Sequence, residues 1–328
     1  MKHQHSILFT VCLVALVAST AACLQTTQEQ GIPTPTVKAT QIPPTIDRQT
    51  RIPADAVKMT SLTDAHPLQL LSADYEKPVP VPGTVNTAGA EDSPFITPDG
   101  NTLYFFFTPD VRIPAEKQLL DGVTGIYVSK KMGGEWGPPE RILLQTPGKV
   151  ALDGCEFVQG NVMLFCSARE GYVGIHWFMA QYRDGAWQDW KYADFAPDFQ
   201  VGELHFTPDD SQVYFASDRP GGKGGLDIWV STNVNGVWQE PINEEVVNTQ
   251  DADGWPALSP DGKELWLTRN YGLWRSRSVG GKWQPPELIF SPLAGEASID
   301  SAGNVYFVHH FFKGDQMIEA DIFVAYKK

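Results

Sequence analysis

The 328-residue chain carries a formal net charge of −14, with 42% apolar and only 20% charged residues, 29 Gly and 25 Pro. An acidic chain without a basic stripe has no general attraction for nucleic acid or for anionic lipid headgroups. The turn-rich composition points to a soluble, all-β chain long enough to bury a large core.

Residues 1–23 read as a targeting signal, separate from the fold. Lys2, His3 and His5 form a weakly basic start, 7–17 is apolar, and Ser19-Thr20-Ala21-Ala22-Cys23 ends in small residues. The apolar run is shorter than the ~20 residues that span a bilayer. Small residues running into Cys23 resemble a bacterial lipoprotein signal, although Thr20 stands where that family has an aliphatic residue. The resemblance implies cleavage before Cys23 and lipidation of Cys23; ordinary secretion is the alternative. Residues 24–56, rich in Thr, Pro and Gln, read as an extended tether. The expected location is outside the cytoplasmic membrane, as a periplasmic or cell-surface lipoprotein that touches the membrane only through its anchor.

Residues 57–328 carry a repeat. Val85-Asn86-Thr87, Pro94 to Gly100 and Leu103-Tyr104-Phe105 recur at one constant offset as Val247-Asn248-Thr249, Pro256 to Gly262 and Leu265-Trp266-Leu267. The Pro-Asp-Gly element presets a tight turn, since Pro fixes φ and Gly tolerates φ > 0. A turn of this kind stands at Asp99-Gly100, Gly160-Asn161, Asp209-Asp210, Asp261-Gly262 and Ala302-Gly303. A second marker, an aromatic followed three residues later by Pro or another aromatic, stands at Tyr75, Trp136, Trp187, Trp238 and Trp283. Both markers count five copies spaced roughly 40–60 residues apart, the period of propeller blades. In each copy strand a precedes the turn, strand b follows it, strand c is of the Asp-Ile-Trp-Val type and strand d begins at the aromatic. The expected blades are about 91–144, 153–194, 202–247, 253–293 and 295–328, the last completed by the Tyr75 region so that the ring closes. The one helical possibility is 115–120.

Ser217-Asp218-Arg219-Pro220-Gly221-Gly222-Lys223-Gly224-Gly225-Leu226-Asp227-Ile228-Trp229-Val230-Ser231 resembles the TolB-type Pro-Asp propeller repeat, a WD40-like unit. The resemblance covers about 75–328. It implies a β-propeller of the cell envelope, usually a binding or scaffold module; the count of five blades comes from the two markers. Tol-system proteins carry a further α/β domain ahead of the propeller, for which 24–74 offers no room.

The candidate ligand residues lie at the start of strand a and the end of strand b. Asp92, Asp153, Glu203, Asp253 and Glu296 read as one acid per blade, doubled by Glu91 in the first, forming a ring at one channel mouth. Arg169, Arg219 and Arg269 end strand b on the same face and can pair with those acids bidentately or take an anionic ligand. Asp92, Asp153 and Glu203 also resemble the acid trio of five-bladed arabinanase-type glycosidases, which implies a glycan hydrolase with paired carboxylates. Against that, repeats duplicate residues, and such acids commonly serve neighbouring backbones.

Residues 221–225 lack the Lys-Ser/Thr of a phosphate loop. Glu203 with His205 offers two metal ligands without a local third, and adjacent His309 and His310 point to opposite faces of a strand. No metal set and no cofactor is expected. With Gly160-Asn161 as a two-residue turn, Cys155 falls opposite Cys166, a pair that a secreted location permits to be oxidised. The reading is a binding or interaction module for an envelope protein, peptide or glycan. The alternatives are a glycan hydrolase and a ligand-free scaffold.

Overall fold

The structure, a computed structural model, describes residues 46–194, 199 and 201–328. The expected signal, Cys23 and the tether up to residue 45 lie outside the described residues. The chain is nearly all β, with 49% strand and 3% helix, in several sheets. The expected helical stretch forms one short helix, Ala115–Gln118. Among the described residues no helix is long and apolar enough to cross a membrane.

Each sequence repeat folds as a meander of antiparallel strands. In the first, Ala90–Ile96, Thr102–Thr108, Gly125–Met132 and Glu140–Arg141 pair in that order. The second pairs Ala151–Gln159, Val162–Arg169, His176–Arg183 and Ala186–Tyr192. The third repeats the pattern with Leu204–Phe206, Gln212–Ser217, Asp227–Val234 and Ile242–Asn243. The fourth uses Asp253–Leu258, Glu264–Arg269, Gly272–Val279 and Glu287–Ser291. The last uses Ala294–Ile299, Val305–Lys313 and Gln316–Ala325, and here the fourth strand is N-terminal: Val79 pairs with Val324 and Pro80 with Phe323. Tyr75 bridges Lys327, and a parallel bridge from Ala320 to Ala90 joins the last repeat to the first.

The marker aromatics pack between sheets, Tyr75 and Trp136 buried and Trp187, Trp238 and Trp283 partly buried. Four of them meet the second strand of the repeat before. Trp187 meets Tyr104 at 6.3 Å between ring centroids, and Trp283 meets Tyr214 at 6.1 Å. Tyr75 meets Trp266 at 6.0 Å and Trp136 meets Tyr306 at 6.3 Å. Trp238 follows by joining the cluster that holds Leu164.

The tether expected over 24–56 packs at its far end. Residues Arg48–Arg51 form a 3-10 turn capped by Asp47, and Arg48 is buried over Phe105, Phe107 and Tyr127.

Candidate functional site

The first strands of four repeats share one distortion. The pairing register shifts between Asp92 and Phe95, Gly154 and Phe157, Gly254 and Ala257, and Gly295 and Ser298. At each bulge one non-glycine residue takes positive φ: Ser93 48°, Cys155 54°, Trp255 52° and Glu296 56°. Left-handed backbone at such residues costs on the order of 1–3 kcal/mol, and bulges of this kind re-aim side chains beside binding sites. Here they turn 93–95, 155–157, 255–257 and 296–298 onto one cavity of about 50 Å³, which 203–205 of the third repeat, without a bulge, also lines.

The bulge also sorts the acids that the sequence placed in one ring. Aligned on Gly154, Gly254 and Gly295, Asp153 and Asp253 share a position with Glu91, whereas Glu203 and Glu296 stand two residues further on. Two layers result, and the expected single ring at a channel mouth is corrected accordingly.

The outer layer is neutralised by arginine. Arg169 Nη2 donates to Asp153 at 2.6 Å, with Ser167 Oγ on the same carboxylate oxygen at 2.5 Å. Arg269 pairs with Asp253, and its guanidinium also donates to the Val247 carbonyl at 2.6 Å. Glu91 takes its cation from the N-terminal segment, Arg48 Nη1 at 2.9 Å, and accepts from Thr87 as well. The third repeat has Val201 at the acid's position. Arg219 is therefore left stacked among Phe215, Trp229 and Phe199, its Nε without a hydrogen bond among the described residues. Its nearest carboxylate is the exposed Glu240 at 3.8 Å, and burial lowers its pKa.

The inner layer holds Asp92, Glu156 and Glu296, which are buried, and Glu203, which is partly buried, none with a Lys or Arg partner among the described residues. Burial pushes Glu203 up to about 7, with the charge of Asp92 adding to the rise. It pushes Glu156 and Glu296 well above the usual range, and their acidic neighbours push the same way. Burial raises Asp92 as well, against the pull of His310. Several of these oxygens, Asp92 Oδ2, Glu203 Oε1 and both of Glu156, have no hydrogen-bond partner among the described residues. Buried polar atoms are normally paired, so an orphaned group marks a functional site or an absent ligand. His205 lines the same cavity, its imidazole held neutral by burial with a pKa of about 4. His309 and His310 do diverge, the first to Asp64 at 2.9 Å and the second toward Asp92 at 3.8 Å.

Sequence reasoning passed over Glu156 and Arg48, and it weighed His310 only beside His309, not with Asp92 and Glu296. Glu156 shares its place, one residue before the aromatic Phe157, with Pro94 before Phe95. Nothing local marked Arg48 or joined His310 to Asp92, since those partners lie far apart in sequence.

Cys155 and Cys166 form a disulfide with Cα atoms 5.4 Å apart. The residue directly opposite Cys166 is Gly154, because Cys155 is the extra residue of the bulge; the expected hairpin register holds only from Phe157 to the turn.

No family model matches the chain, and no curated protein matches it. Among solved structures it is similar to an endo-arabinase from Bacteroides thetaiotaomicron VPI-5482, at 13% identity and a TM-score of 0.48 over 75% of this chain and 96% of that one. It is similar to a protein of unknown function from Dyadobacter fermentans DSM 18053, at 11% identity and a TM-score of 0.45 over 80% and 99%. It is also similar to a gluconolactonase from Xanthomonas campestris, at 11% identity and a TM-score of 0.43 over 84% and 97%.

Proposed function

We propose that the chain is a five-bladed, TolB-type β-propeller, lipid-anchored at Cys23 in the cell envelope, that binds a polar ligand on the face carrying the connections between strands b and c. The five-bladed ring is supported by the marker aromatics. The same contact, ring on second strand of the preceding repeat, continues through Tyr75 to Trp266 and across the chain ends through Trp136 to Tyr306.

One observation carries the choice of binding over catalysis. The carboxylates free of arginine enclose about 50 Å³, room for an ion or a few waters, whereas ligand pockets occupy ≈ 300–1,000 Å³. Asp153, the middle member of the glycosidase-like trio, is held by Arg169 and Ser167 instead of facing that space. Arg219, only 7% exposed among Phe199, Phe215 and Trp229, keeps a guanidinium whose acid is replaced by Val201, which favours a carboxylate- or phosphate-bearing glycan or peptide that reaches it from the loop face.

A second reading, a glycan hydrolase, is favoured by Glu203. A carboxyl held near pH 7 beside other carboxyls has the protonation a general acid needs. One experiment separates the two. The mature chain and its R219Q variant are screened on glycan and peptide arrays, and the same polysaccharides are assayed for new reducing ends. Binding that weakens at least tenfold in R219Q, without hydrolysis, supports the module. Hydrolysis abolished by E203Q overturns it in favour of the enzyme.

A further inference from the structure

The cluster that the binding reading leaves unused is Asp92, Glu296 and His310. The three are buried, come from the first and last repeats, and place one donor atom each within 4.8 Å of one another. We propose that they form a binding site for one divalent transition-metal ion of the Zn²⁺/Mn²⁺ class, which pins the first repeat to the last. This proposal stands on buried strand residues and is independent of the ligand on the loop face.

The histidine carries the argument. His310 Nδ1 lies 3.3 Å from the Leu293 carbonyl, which also accepts from the His310 amide at 2.9 Å and faces His309 Nδ1 at 3.2 Å; because a carbonyl can only accept, the contact favours the tautomer with the proton on Nδ1. In the neutral ring, Nε2 is then a lone pair, and it faces Asp92 Oδ1 at 3.8 Å. Two acceptors turned toward each other in a buried space need a cation between them. An imidazole held through its other nitrogen by a backbone carbonyl is the usual arrangement of a metal-binding histidine. Burial keeps the ring neutral, as a ligand must be.

The carboxylates agree. Asp92 Oδ1 accepts from the Ser93 amide at 2.9 Å, whereas Oδ2, equally buried, accepts from nothing. Glu296 is oriented by Ser93 Oγ, which donates to its Oε2 at 2.5 Å. Both residues reach the cluster because of the bulges at Ser93 and Glu296, so the backbone strain there has a purpose. An ion ~2.0–2.2 Å from each donor spans atoms up to about 4 Å apart, so the His310–Asp92 spacing of 3.8 Å fits without movement, whereas a donor pair at the 4.8 Å limit of the cluster has to close by about 0.8 Å. Glu296 also lines the neighbouring cavity, which holds room for ion-bound water. One nitrogen with carboxylate oxygens suits a transition metal better than Ca²⁺, which takes 6–8 oxygens.

The competing account is a shared proton: Glu296 protonated and bonded to Asp92, with no metal. The test uses the untagged mature chain, stripped with EDTA and titrated calorimetrically with Zn²⁺, Mn²⁺ and Ca²⁺, with metal content and melting temperature measured alongside. The expected result is one Zn²⁺ or Mn²⁺ per chain and a melting temperature that rises on binding. D92N, E296Q and H310Q should each weaken binding by at least about 100-fold, because losing even an outer-shell partner costs about 10–100-fold. Should these variants fail to fold, the wild-type chain loaded with Co²⁺ must show visible d–d bands that one equivalent of Zn²⁺ abolishes. No stoichiometric binding, binding of Ca²⁺ alone, or Zn²⁺ binding indifferent to folded H310Q overturns the proposal.

Discussion

Tyr75 stands edge-on to Trp266, ring centroids 6.0 Å apart at 72°, while its backbone bridges Lys327. A residue from near the start of the described chain thus fills a core position between the last two repeats. Arg275, fully buried beside it, donates to the Tyr75 hydroxyl at 3.3 Å and to Asp74 at 2.7 Å. Removing residues up to Pro78 empties this position and strips the Tyr75–Lys327 bridge, leaving only Val79 and Pro80 paired on the edge of Gln316–Ala325. The truncated chain should lose cooperative unfolding by calorimetry. Y75A alone, leaving the strand in place, should cost about 3–5 kcal/mol, the range for a large buried aromatic.

Arg48 should matter as much, although it lies in what reads as a linker. It is 5% exposed, bonds Glu91 and donates to the Thr84 and Val85 carbonyls at 2.8 and 2.7 Å. R48A leaves Glu91 buried without its cation, and breaking a buried pair costs about 3–5 kcal/mol. The double variant R48A/E91Q should recover a good part of that loss in urea unfolding. If it does not, the two side chains act independently.

The repeats, their turn chemistry and the positions of the marker aromatics were legible because each depends on residues near in sequence. Trp136, Trp187 and Trp283 lie where a period-based reading puts them, at the seams between sheets. The acid ring was not legible in the same way. Asp153 and Glu203 both read as the acid at the start of a first strand, but Asp153 stands ahead of the bulge position and meets an arginine, whereas Glu203 stands two residues further on and lines the cavity. A one-residue bulge leaves no compositional trace when its left-handed residue is Ser, Cys, Trp or Glu instead of Gly. Arg48 was hidden for a different reason: its partner is fixed by a tertiary contact, and Thr/Pro-rich surroundings read as unpacked chain.

The Cys155–Cys166 bond ties a first strand to a second across a short loop of sequence separation 11. On the chain-entropy account a loop of that size contributes about 3 kcal/mol. C155S/C166S should therefore unfold at a lower urea midpoint by that amount. Adding reductant should move the wild-type midpoint toward the variant's and leave the variant's unchanged.

Glu203 makes stability depend on pH with a definite sign. Its folded pKa, about 7, lies above the ordinary value of 4.5, so between those limits the folded chain holds a proton that the unfolded chain has released. Stability from this group is intact below pH 4.5 and is lost as pH rises through 7. Asp92, Glu156 and Glu296 titrate around the same space in the same sense, whereas His205 and His310, lowered by burial, act in the opposite sense below pH 6.5. A raw melting curve mixes them, so the difference between E203Q and wild type is the informative quantity. Glutamine keeps the shape and cannot ionise. With chelator present throughout, the two proteins should melt together near pH 4.5. E203Q should gain steadily above that and level off past pH 7 with an advantage of about 3 kcal/mol, roughly 6–10 °C for a domain of this size. A constant offset at all pH values would mean that Glu203 ionises at the same pH folded and unfolded, and the crowded inner layer would then not hold its proton.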